Sequence, residues 1–398
     1  MLLGRSLAVL LVLASGLSLA QAQDHPEGGN RTLDPRDPHP FGEAGTGYWS
    51  FRLGYYDKQD NGQGNPFVDE SVTVIEPVIV YDYQASEDFG YNVQFNYDHV
   101  SSASIKRLSV YDAQSGASGD NYLGVDASFR HKLTDSTKFN WHAGISTEYD
   151  YTSLGLGAGV SHTLDPQDAV LSANLNAYVD SVKLIRYNGV DQGTDTRTSL
   201  AGTLSWYQVL GPNTHGELGV TLSAQSGYLE SPINSVVIED PLLPPNPYLA
   251  NNARCTEISE ELPNSRLRTA IYGTVRHALD DRNAVELGGR LYHDDWGIQA
   301  YDLTPKFIHQ FDSGMLVDLR VRYYDQTAAD AYQASFTDPL NIPVERTQDS
   351  ELGKFDSTLF GTHVRWSDDA AWDFGLDYLS RSDGLDHVFF SVGWKQSF

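Results

Sequence analysis

The chain has 398 residues, and its 27 basic and 53 acidic residues give a formal net charge of −26. Binding to nucleic-acid phosphates needs the opposite sign, so nucleic acid is excluded as a partner. The single cysteine, Cys255, excludes a disulfide framework and a covalent haem motif, and we expect no cofactor. The 23 Tyr, 16 Phe and 35 Gly residues, against 2 Met, favour strands and interfacial aromatic belts over helical bundles.

The N-terminus resembles a secretory signal peptide. Arg5 precedes an apolar run, and residues 20–22 read Ala-Gln-Ala, the small-x-small pattern that a signal peptidase accepts. We therefore expect a signal peptide over residues 1–22 and a flexible, Pro-rich periplasmic segment over residues 23–46. No later stretch approaches the roughly 20 apolar residues that a membrane-spanning helix needs.

From residue 47 onward, apolar and polar positions alternate. Residues 169–180 show the pattern most clearly, with Leu171, Leu175 and Val179 on one side of the strand and polar residues on the other. The pattern predicts sixteen strands. They cover residues 47–58, 71–84, 89–102, 121–133, 138–150, 153–164, 169–184, 197–210, 214–228, 267–279, 283–295, 298–311, 315–327, 356–367, 371–381 and 386–398.

The connections between these strands fall into two classes. Every second connection is short and has turn chemistry, for example LDPQD and FDSG, whereas several of the others are long. Barrels assembled from the periplasm have short turns on one side and long loops on the other. We therefore predict an all-β fold, a transmembrane antiparallel up-and-down β-barrel of about 16 strands over residues 47–398, located in the bacterial outer membrane.

The chain ends on an alternating strand whose last residue is aromatic. Phe390, Val392, Trp394 and Phe398 share one side of this strand. Such an ending is typical of the C-terminal signal of outer-membrane barrels. We expect it to engage the barrel assembly machinery, and we expect the finished barrel to contact outer-membrane lipid and lipopolysaccharide.

Charged residues at inward positions of the later strands are the candidate functional residues. The alternation predicts that they line the lumen: Arg290, Arg320, Arg322, Glu286, Asp302 and Asp318. Opposed rows of arginine and carboxylate can orient and select polar solutes. The alternative is a structural ladder of ion pairs that stiffens neighbouring strands, because unpaired charges inside a narrow barrel are costly.

Catalytic and metal sites are weakly indicated. His293, Asp294 and Asp295 are consecutive, so on a strand they alternate faces and cannot easily converge on one ion. A barrel-borne lipid hydrolase would need a serine–histidine pair, but His142 and Ser146 lie about 13 Å apart along one strand. His363 has no serine partner that the sequence can assign. We therefore predict no catalytic residue and no metal ligand.

Two long connections, residues 229–266 and 328–355, leave two alternatives open. The first contains the Pro-rich run PLLPPNPY and Cys255, and the second is acidic and aromatic. The first loop either folds into the lumen as a constriction or presents an outer binding surface, and the second could line the same mouth. Cys255 is expected to be an incidental thiol.

Several motifs resemble the proteobacterial family named domain of unknown function 3570 (DUF3570). They are RxRxA at 266–270, YHDDWGI at 292–298 and RYYDQTAADAY at 322–332, with QVLGPN at 208–213 and GYLESPI at 227–233. The resemblance implies an outer-membrane barrel without an established activity. It further implies a partnership with a periplasmic or lipid-anchored redox protein, such as a lipoprotein or a flavoprotein.

These observations favour a porin-like passive channel for small polar or charged solutes and argue against an enzyme. The alternative is a non-conducting barrel scaffold for a partner lipoprotein or flavoprotein of an extracytoplasmic redox module. A barrel-embedded lipid hydrolase is the third hypothesis.

Overall fold

A computed structural model describes residues 42–102, 120–166, 168–249, 251–366 and 370–398. The predicted signal peptide and most of the predicted periplasmic segment lie outside these ranges. The described chain forms one closed antiparallel barrel of sixteen strands, with a separate two-stranded sheet in one of its loops. In the ranges given above, no helix is long and apolar enough to cross a membrane.

The strands follow one another around the barrel in sequence order, and the last pairs with the first. The first nine are β1 (Gly47–Asp60), β2 (Val72–Ser86), β3 (Phe89–Ser102), β4 (Asp120–Lys132), β5 (Thr137–Thr147), β6 (Tyr151–Leu164), β7 (Ala169–Ile185), β8 (Asp191–Gly211) and β9 (Thr214–Gly227). The loop sheet consists of β10 (Ser235–Glu239) and β11 (Cys255–Ser259). The barrel continues with β12 (Ser265–Ala278), β13 (Asn283–Asp294), β14 (Gln299–Gln310), β15 (Met315–Gln326), β16 (Phe355–Trp366), β17 (Ala370–Arg381) and β18 (Leu385–Ser397).

The two ends of the barrel differ as the sequence predicts. At the end called here the short-turn end, seven connections of two to four residues join consecutive strands, and β1 starts beside the end of β18. The opposite, long-loop end carries the connections at 61–71, 103–119, 228–264 and 327–354. A short 3-10 helix, Ser350–Leu352, lies in the last of them.

Alternation of side chains separates an apolar outer surface from a polar interior. On β7, Leu171 and Val179 are 44% and 54% exposed, whereas Asp180, one position on, is 2% exposed. Exposed aromatic residues mark both rims of this surface. Tryptophans lie toward the short-turn end (Trp49, Trp141, Trp206, Trp366 and Trp372), and tyrosines lie toward the long-loop end (Tyr55, Tyr97, Tyr301, Tyr323 and Tyr378). Aromatic girdles flanking an apolar band are the lipid-facing surface of transmembrane barrels.

Pairing between β1 and β18 closes the barrel. Phe51 faces Trp394 and Tyr55 faces Phe390 across this pair. Gly47 and Phe398 complete it with two backbone hydrogen bonds of 3.0 and 2.9 Å, one in each direction. The aromatic C-terminal residue therefore sits at the closing joint of the barrel.

The predicted strands agree with the structure within three residues at every boundary but one. β8 begins at Asp191 rather than at residue 197, so the loop predicted over residues 185–196 is shorter and covers only residues 186–190. Residues 191–196 are polar on both sides and fully exposed, so they carry no alternation. They extend as a strand because backbone pairing with β7 continues beyond the apolar band. The β10–β11 sheet was also not predicted.

Candidate functional site

The six charged residues singled out in the sequence lie on the polar side of their strands. On β15, the side chains of Leu319, Val321 and Tyr323 are exposed on the outer surface. Because successive residues of a strand face opposite sides, Asp318, Arg320 and Arg322 face inward. The same parity places Glu286 and Arg290 of β13, and Asp302 of β14, on the inner face.

Five of these six inward residues form ion pairs with charged residues on other strands. The inner face of β12 to β17 is called here the charged wall. Its pairs, with their shortest distances, are Arg322–Asp302 (3.5 Å), Arg320–Asp377 (2.7 Å), His363–Asp318 (3.6 Å), Lys306–Glu286 (3.2 Å) and Arg276–Glu286 (2.5 Å). Arg290 lies directly opposite Asp302 in the strand register. The geometry matches the ladder of lateral ion pairs rather than opposed rows across the lumen.

Glycine makes one of these pairs possible. Arg320 on β15 and Asp377 on β17 are separated by β16, and both lie opposite Gly361 in the register. The guanidinium donates two hydrogen bonds, of 3.1 and 2.7 Å, to the carboxylate directly over this glycine. A Cβ atom at Gly361 would collide with both side chains. The missing side chain therefore allows an ion pair to bridge three strands.

The long loops meet above the mouth of the barrel. The cap is defined here as residues 61–71, 228–264 and 327–354. The first segment leaves the barrel between β1 and β2, and the second leaves it between β9 and β12, eight strands away in either direction around the ring. Phe67 of the first segment nevertheless packs against Val237 and Leu249 of the second. Contact between loops from opposite sides of the barrel means that the cap crosses the mouth.

The third cap segment joins the other two. Gln348 accepts a hydrogen bond of 2.7 Å from the Val237 backbone through its side-chain oxygen. Its backbone carbonyl accepts one of 3.1 Å from the Asn65 amide. Phe336 packs with Val236 and Ile238 in a buried apolar cluster. The cap therefore has a core of its own, and of the two alternatives for the long loops the structure favours folding over the mouth.

Buried carboxylates lie inside the cap. Glu260 accepts hydrogen bonds from the Ser231 backbone (2.9 Å), the Thr347 hydroxyl and the Asn234 amide. Burial, with the charge of Asp349 nearby, raises the pKa of Glu260 to about 8. Burial likewise raises the pKa of Glu70 to about 7, although Lys58 opposes the shift. Both groups titrate near neutral pH, well above the ordinary range of glutamate.

Polar contacts fasten the cap to β17 and to the loop between β7 and β8. Arg381 of β17 donates a hydrogen bond of 2.7 Å to Glu351, whose pKa is lowered mainly by this arginine against the effect of burial. On the far side, Arg186 lies 3.4 Å from Glu230, and the Tyr187 hydroxyl donates to the Glu257 carbonyl over 2.7 Å.

Asp294 holds the turn after β13 and so fixes the conformation of the YHDDWGI motif at residues 292–298. One oxygen of Asp294 accepts hydrogen bonds from the Trp296 and Ile298 backbones, and the other forms an ion pair with Arg266. The Arg266 guanidinium stacks on the Trp296 ring, 4.3 Å from its centroid. Within the described residues, no group of three or more His, Cys, Asp or Glu side chains could hold a metal ion.

Two inward histidines, His142 and His363, are bound to carboxylates and an amide. His142 lies 2.9 Å from both Asp126 and Asn176, and His363 lies between Asp318 and Asp373. Over the described part of the chain, neither imidazole has a hydrogen bond to a serine hydroxyl. A nucleophilic serine activated by either histidine is therefore missing from this arrangement.

The sequence motifs and the barrel are consistent with one family. Residues 112–385 match the family described as protein of unknown function (DUF3570). The chain belongs to this family. A comparison with curated proteins finds no match.

This DUF3570 chain is similar in fold to several solved structures. The ferric enterobactin receptor PfeA of Pseudomonas aeruginosa (R480A_Q482A mutant) is 13% identical, with a TM-score of 0.44; the match covers 86% of this chain and 54% of the receptor. The chain thus spans about half the length of that receptor. A bacterial polysaccharide outer-membrane secretin is 11% identical (TM-score 0.48, covering 88% and 98%), and the CymD monoaromatic hydrocarbon channel is 9% identical (TM-score 0.41, covering 90% and 89%). No residue role in this chain follows from these likenesses.

Proposed function

We propose that this chain is a bacterial outer-membrane channel for small polar or charged solutes, with its long-loop end outside the cell. The observation that carries the proposal is the sixteen-stranded closed barrel with a polar inner face and an apolar outer belt. Barrels of 16 to 18 strands are wide enough for an aqueous channel unless loops fill them. The cap narrows the outer mouth, and the charged wall lines part of the path.

Single-channel conductance tests this proposal. Residues 23–398 would be refolded and inserted into a planar bilayer in KCl, with folding checked by circular dichroism and by heat-modifiable gel mobility. A second sample carries Glu351→Gln, which removes the cap's pairing with Arg381, and a matched control carries Glu345→Gln at an exposed cap position. We expect open steps, and larger ones for Glu351→Gln than for the control.

Silence from all three correctly folded barrels would overturn the channel. It would favour a second candidate, a non-conducting barrel that holds a periplasmic or lipid-anchored redox protein. The observations in its favour are a cap that crosses the mouth and inward charges that are bound to one another. This candidate predicts that a lipoprotein or flavoprotein co-purifies with the barrel after mild extraction from native membranes. Isolation of the barrel alone would count against it.

We do not propose hydrolysis. His142 and His363 are each held between acceptors, and the described residues offer neither of them a serine. The barrel is proposed to act without covalent chemistry.

A further inference from the structure

The inner face of the barrel opposite the charged wall carries few charges at mid-height. It is formed by β3 to β9, and at three successive rungs of the strand register its inward positions are mostly amides, hydroxyls and glycines. Two acidic or basic residues of the described chain lie at these rungs, Asp126 and Arg130, and Arg130 pairs with Asp82 of β2 over 2.6 Å. This surface is called here the amide wall.

The first rung places two amides side by side over a glycine. In the register, Asn140 of β5, Gly159 of β6 and Asn174 of β7 are consecutive, followed by Thr203 and Thr221. A Cβ atom at Gly159 would collide with the amide oxygens of both asparagines, so both amides project over this strand. Neither amide has a hydrogen bond to another side chain in the described part of the chain, so both keep donors and acceptors available to the lumen.

The second rung lies one step nearer the long-loop end. Here Asn92, His142 and Asn176 face inward, and His142 is held between Asn176 and Asp126. Asp126 is the only carboxylate on the amide wall at these rungs among the described residues, and its pairing with His142 ties it into the wall. The wall therefore presents hydrogen-bonding groups with little net charge.

The third rung adds an aromatic side chain. Tyr178 faces inward on β7, and 37% of it is exposed although it lies on the inner face. Next to it in the register, Ser199 accepts a hydrogen bond of 3.0 Å from Gln225. An aromatic ring beside amides and hydroxyls offers an apolar face and a polar rim at once.

Each side-chain amide or hydroxyl can both donate and accept hydrogen bonds. A solute with several hydroxyl groups has the same dual character along its length and can exchange water for such a wall without losing hydrogen bonds. The ring faces of a sugar present C–H groups that suit an aromatic surface. An ionic solute finds no free opposite charge on this wall.

We infer that the amide wall binds neutral, hydroxyl-rich solutes of the oligosaccharide class as they pass through the barrel. The inference rests on the channel proposed above and assigns its substrate class. Asn140 and Asn174 bind hydroxyls, and Tyr178 supports the sugar ring two rungs further along.

Maltotriose is the probe for this inference, added to single channels that conduct KCl. The comparison solute is a polyethylene glycol of the same hydrodynamic size, which offers ether acceptors but almost no donors. We expect maltotriose to block the current with a saturable concentration dependence, and the polyethylene glycol to reduce it only in proportion to conductivity. The Asn140→Ala/Asn174→Ala variant should bind maltotriose at least about fivefold more weakly, because each lost hydrogen bond contributes about 1 kcal/mol.

The matched control is Thr304→Ala, which removes an inward hydroxyl from β14 on the charged wall. Its block by maltotriose should equal that of the wild type. Tyr178→Ala provides a second test if the double variant does not fold, and it should also weaken the block.

The outcomes separate the two proposals. Two outcomes overturn the sugar-binding wall and leave the channel standing. In the first, the barrel conducts KCl but maltotriose gives no saturable block. In the second, Thr304→Ala weakens the maltotriose block as much as the wall variants do. Absence of KCl steps overturns both, because the solute then has no path. A saturable block that only the wall variants weaken supports both.

Discussion

Arg381 of β17 and Glu351 of the cap form a buried ion pair, with 2.7 Å between Nη1 and Oε1 and side chains 3% and 5% exposed. Lys58 of β1 adds a second cation 3.9 Å from the same carboxylate. Arg381 also donates to Asp383 and to the Ser350 carbonyl. One acidic residue of the cap is thus held by two strands of the barrel wall, and these strands are separated only by β18.

Replacement of Glu351 by glutamine should loosen the cap. The change leaves Arg381 with Asp383 as its remaining carboxylate partner and takes from Lys58 the carboxylate that it shares with Arg381. Breaking a buried pair typically costs about 3 kcal/mol, or roughly a hundredfold in an opening equilibrium.

Cys255, the single cysteine, lies on β11 inside the cap and reports its opening. The rate at which a neutral thiol reagent labels Cys255 should rise by at least about tenfold. The exposed Glu345→Gln control should leave the rate unchanged, and an equal rate in both variants would contradict an anchoring role.

The cap should also loosen as the pH rises. Glu70 and Glu260 have pKa values of about 7 and about 8, above the ordinary value of 4.5. A carboxyl with a raised pKa in the folded state adds stability below its unfolded pKa and loses it as pH rises through the folded value. The loss therefore falls between about pH 4.5 and pH 8. Glu351, whose pKa is lowered, acts in the opposite sense and loses its contribution as the pH falls below the ordinary range.

Labelling of Cys255 in wild type and in Glu260→Gln measures this effect. The thiol of Cys255 titrates in both proteins, so its own pH dependence cancels when the two labelling rates are divided at each pH. At about pH 5 both proteins carry a neutral side chain at position 260, and the ratio should be near one. At about pH 8 roughly half of the wild-type Glu260 is ionised, and the variant should be labelled more slowly. A ratio independent of pH would refute the assignment to Glu260.

Gly361 should be intolerant of a side chain. In Gly361→Ala, the new Cβ would displace Arg320 from Asp377, and a lost charge-assisted hydrogen-bonded pair costs roughly 1.5–3 kcal/mol. The measurement is urea unfolding of the barrel in lipid vesicles. Gly288→Ala is the matched control, because Gly288 also faces inward and a Cβ there would make only ordinary contacts with Thr274 and Thr304. Equal loss of stability in the two variants would show that the bridge over Gly361 contributes nothing.

The barrel was predictable from sequence because its information is local, whereas the cap was not. Each strand can be recognised from its own residues because apolar and polar positions alternate with a period of two, as on β7. Turn-forming residues identify the short-turn end in the same local way. The cap instead depends on pairs such as Phe67 with Val237, which lie far apart in the chain and follow no period. The partner of Arg320, Asp377, depends on the register of three strands. The inward direction of Arg320 followed from parity alone, but its pairing required the structure.

Replacing Arg290, Arg320 and Arg322 together by glutamine should make the channel prefer cations. The three changes remove positive charge and leave Asp302 and Asp377 on the same wall without their partners. A lumen with excess negative charge attracts cations and repels anions. In a KCl gradient the reversal potential should shift toward the equilibrium potential of K⁺, with a severalfold rise in the cation-to-anion permeability ratio. An unchanged reversal potential would show that the charged wall does not border the conducting path.

Deletion of Phe398 should impair closure of the barrel. Phe398 exchanges two backbone hydrogen bonds with Gly47, and its ring stacks on Tyr81 and Tyr83 with centroids 6.1 and 6.5 Å away. Removing the residue leaves Gly47 without its hydrogen-bond partner at the end of β18 and takes away an aromatic contact of about 0.5–1.5 kcal/mol beyond its buried area. Insertion into vesicles should slow, and the fraction with heat-modifiable mobility should fall.

Two variants distinguish the ring from the backbone at this joint. Phe398→Tyr keeps the ring and both hydrogen bonds, so it should insert into vesicles as fast as the wild type does. Phe398→Ala keeps only the backbone contacts, so its insertion rate should lie between those of the wild type and the deletion. Ser397→Ala controls for a change at the neighbouring exposed position. If Phe398→Ala inserted as fast as the wild type while the deletion did not, the backbone pairing with Gly47 alone would carry the closure. If the deletion itself inserted normally, the C-terminal aromatic would have no part in it.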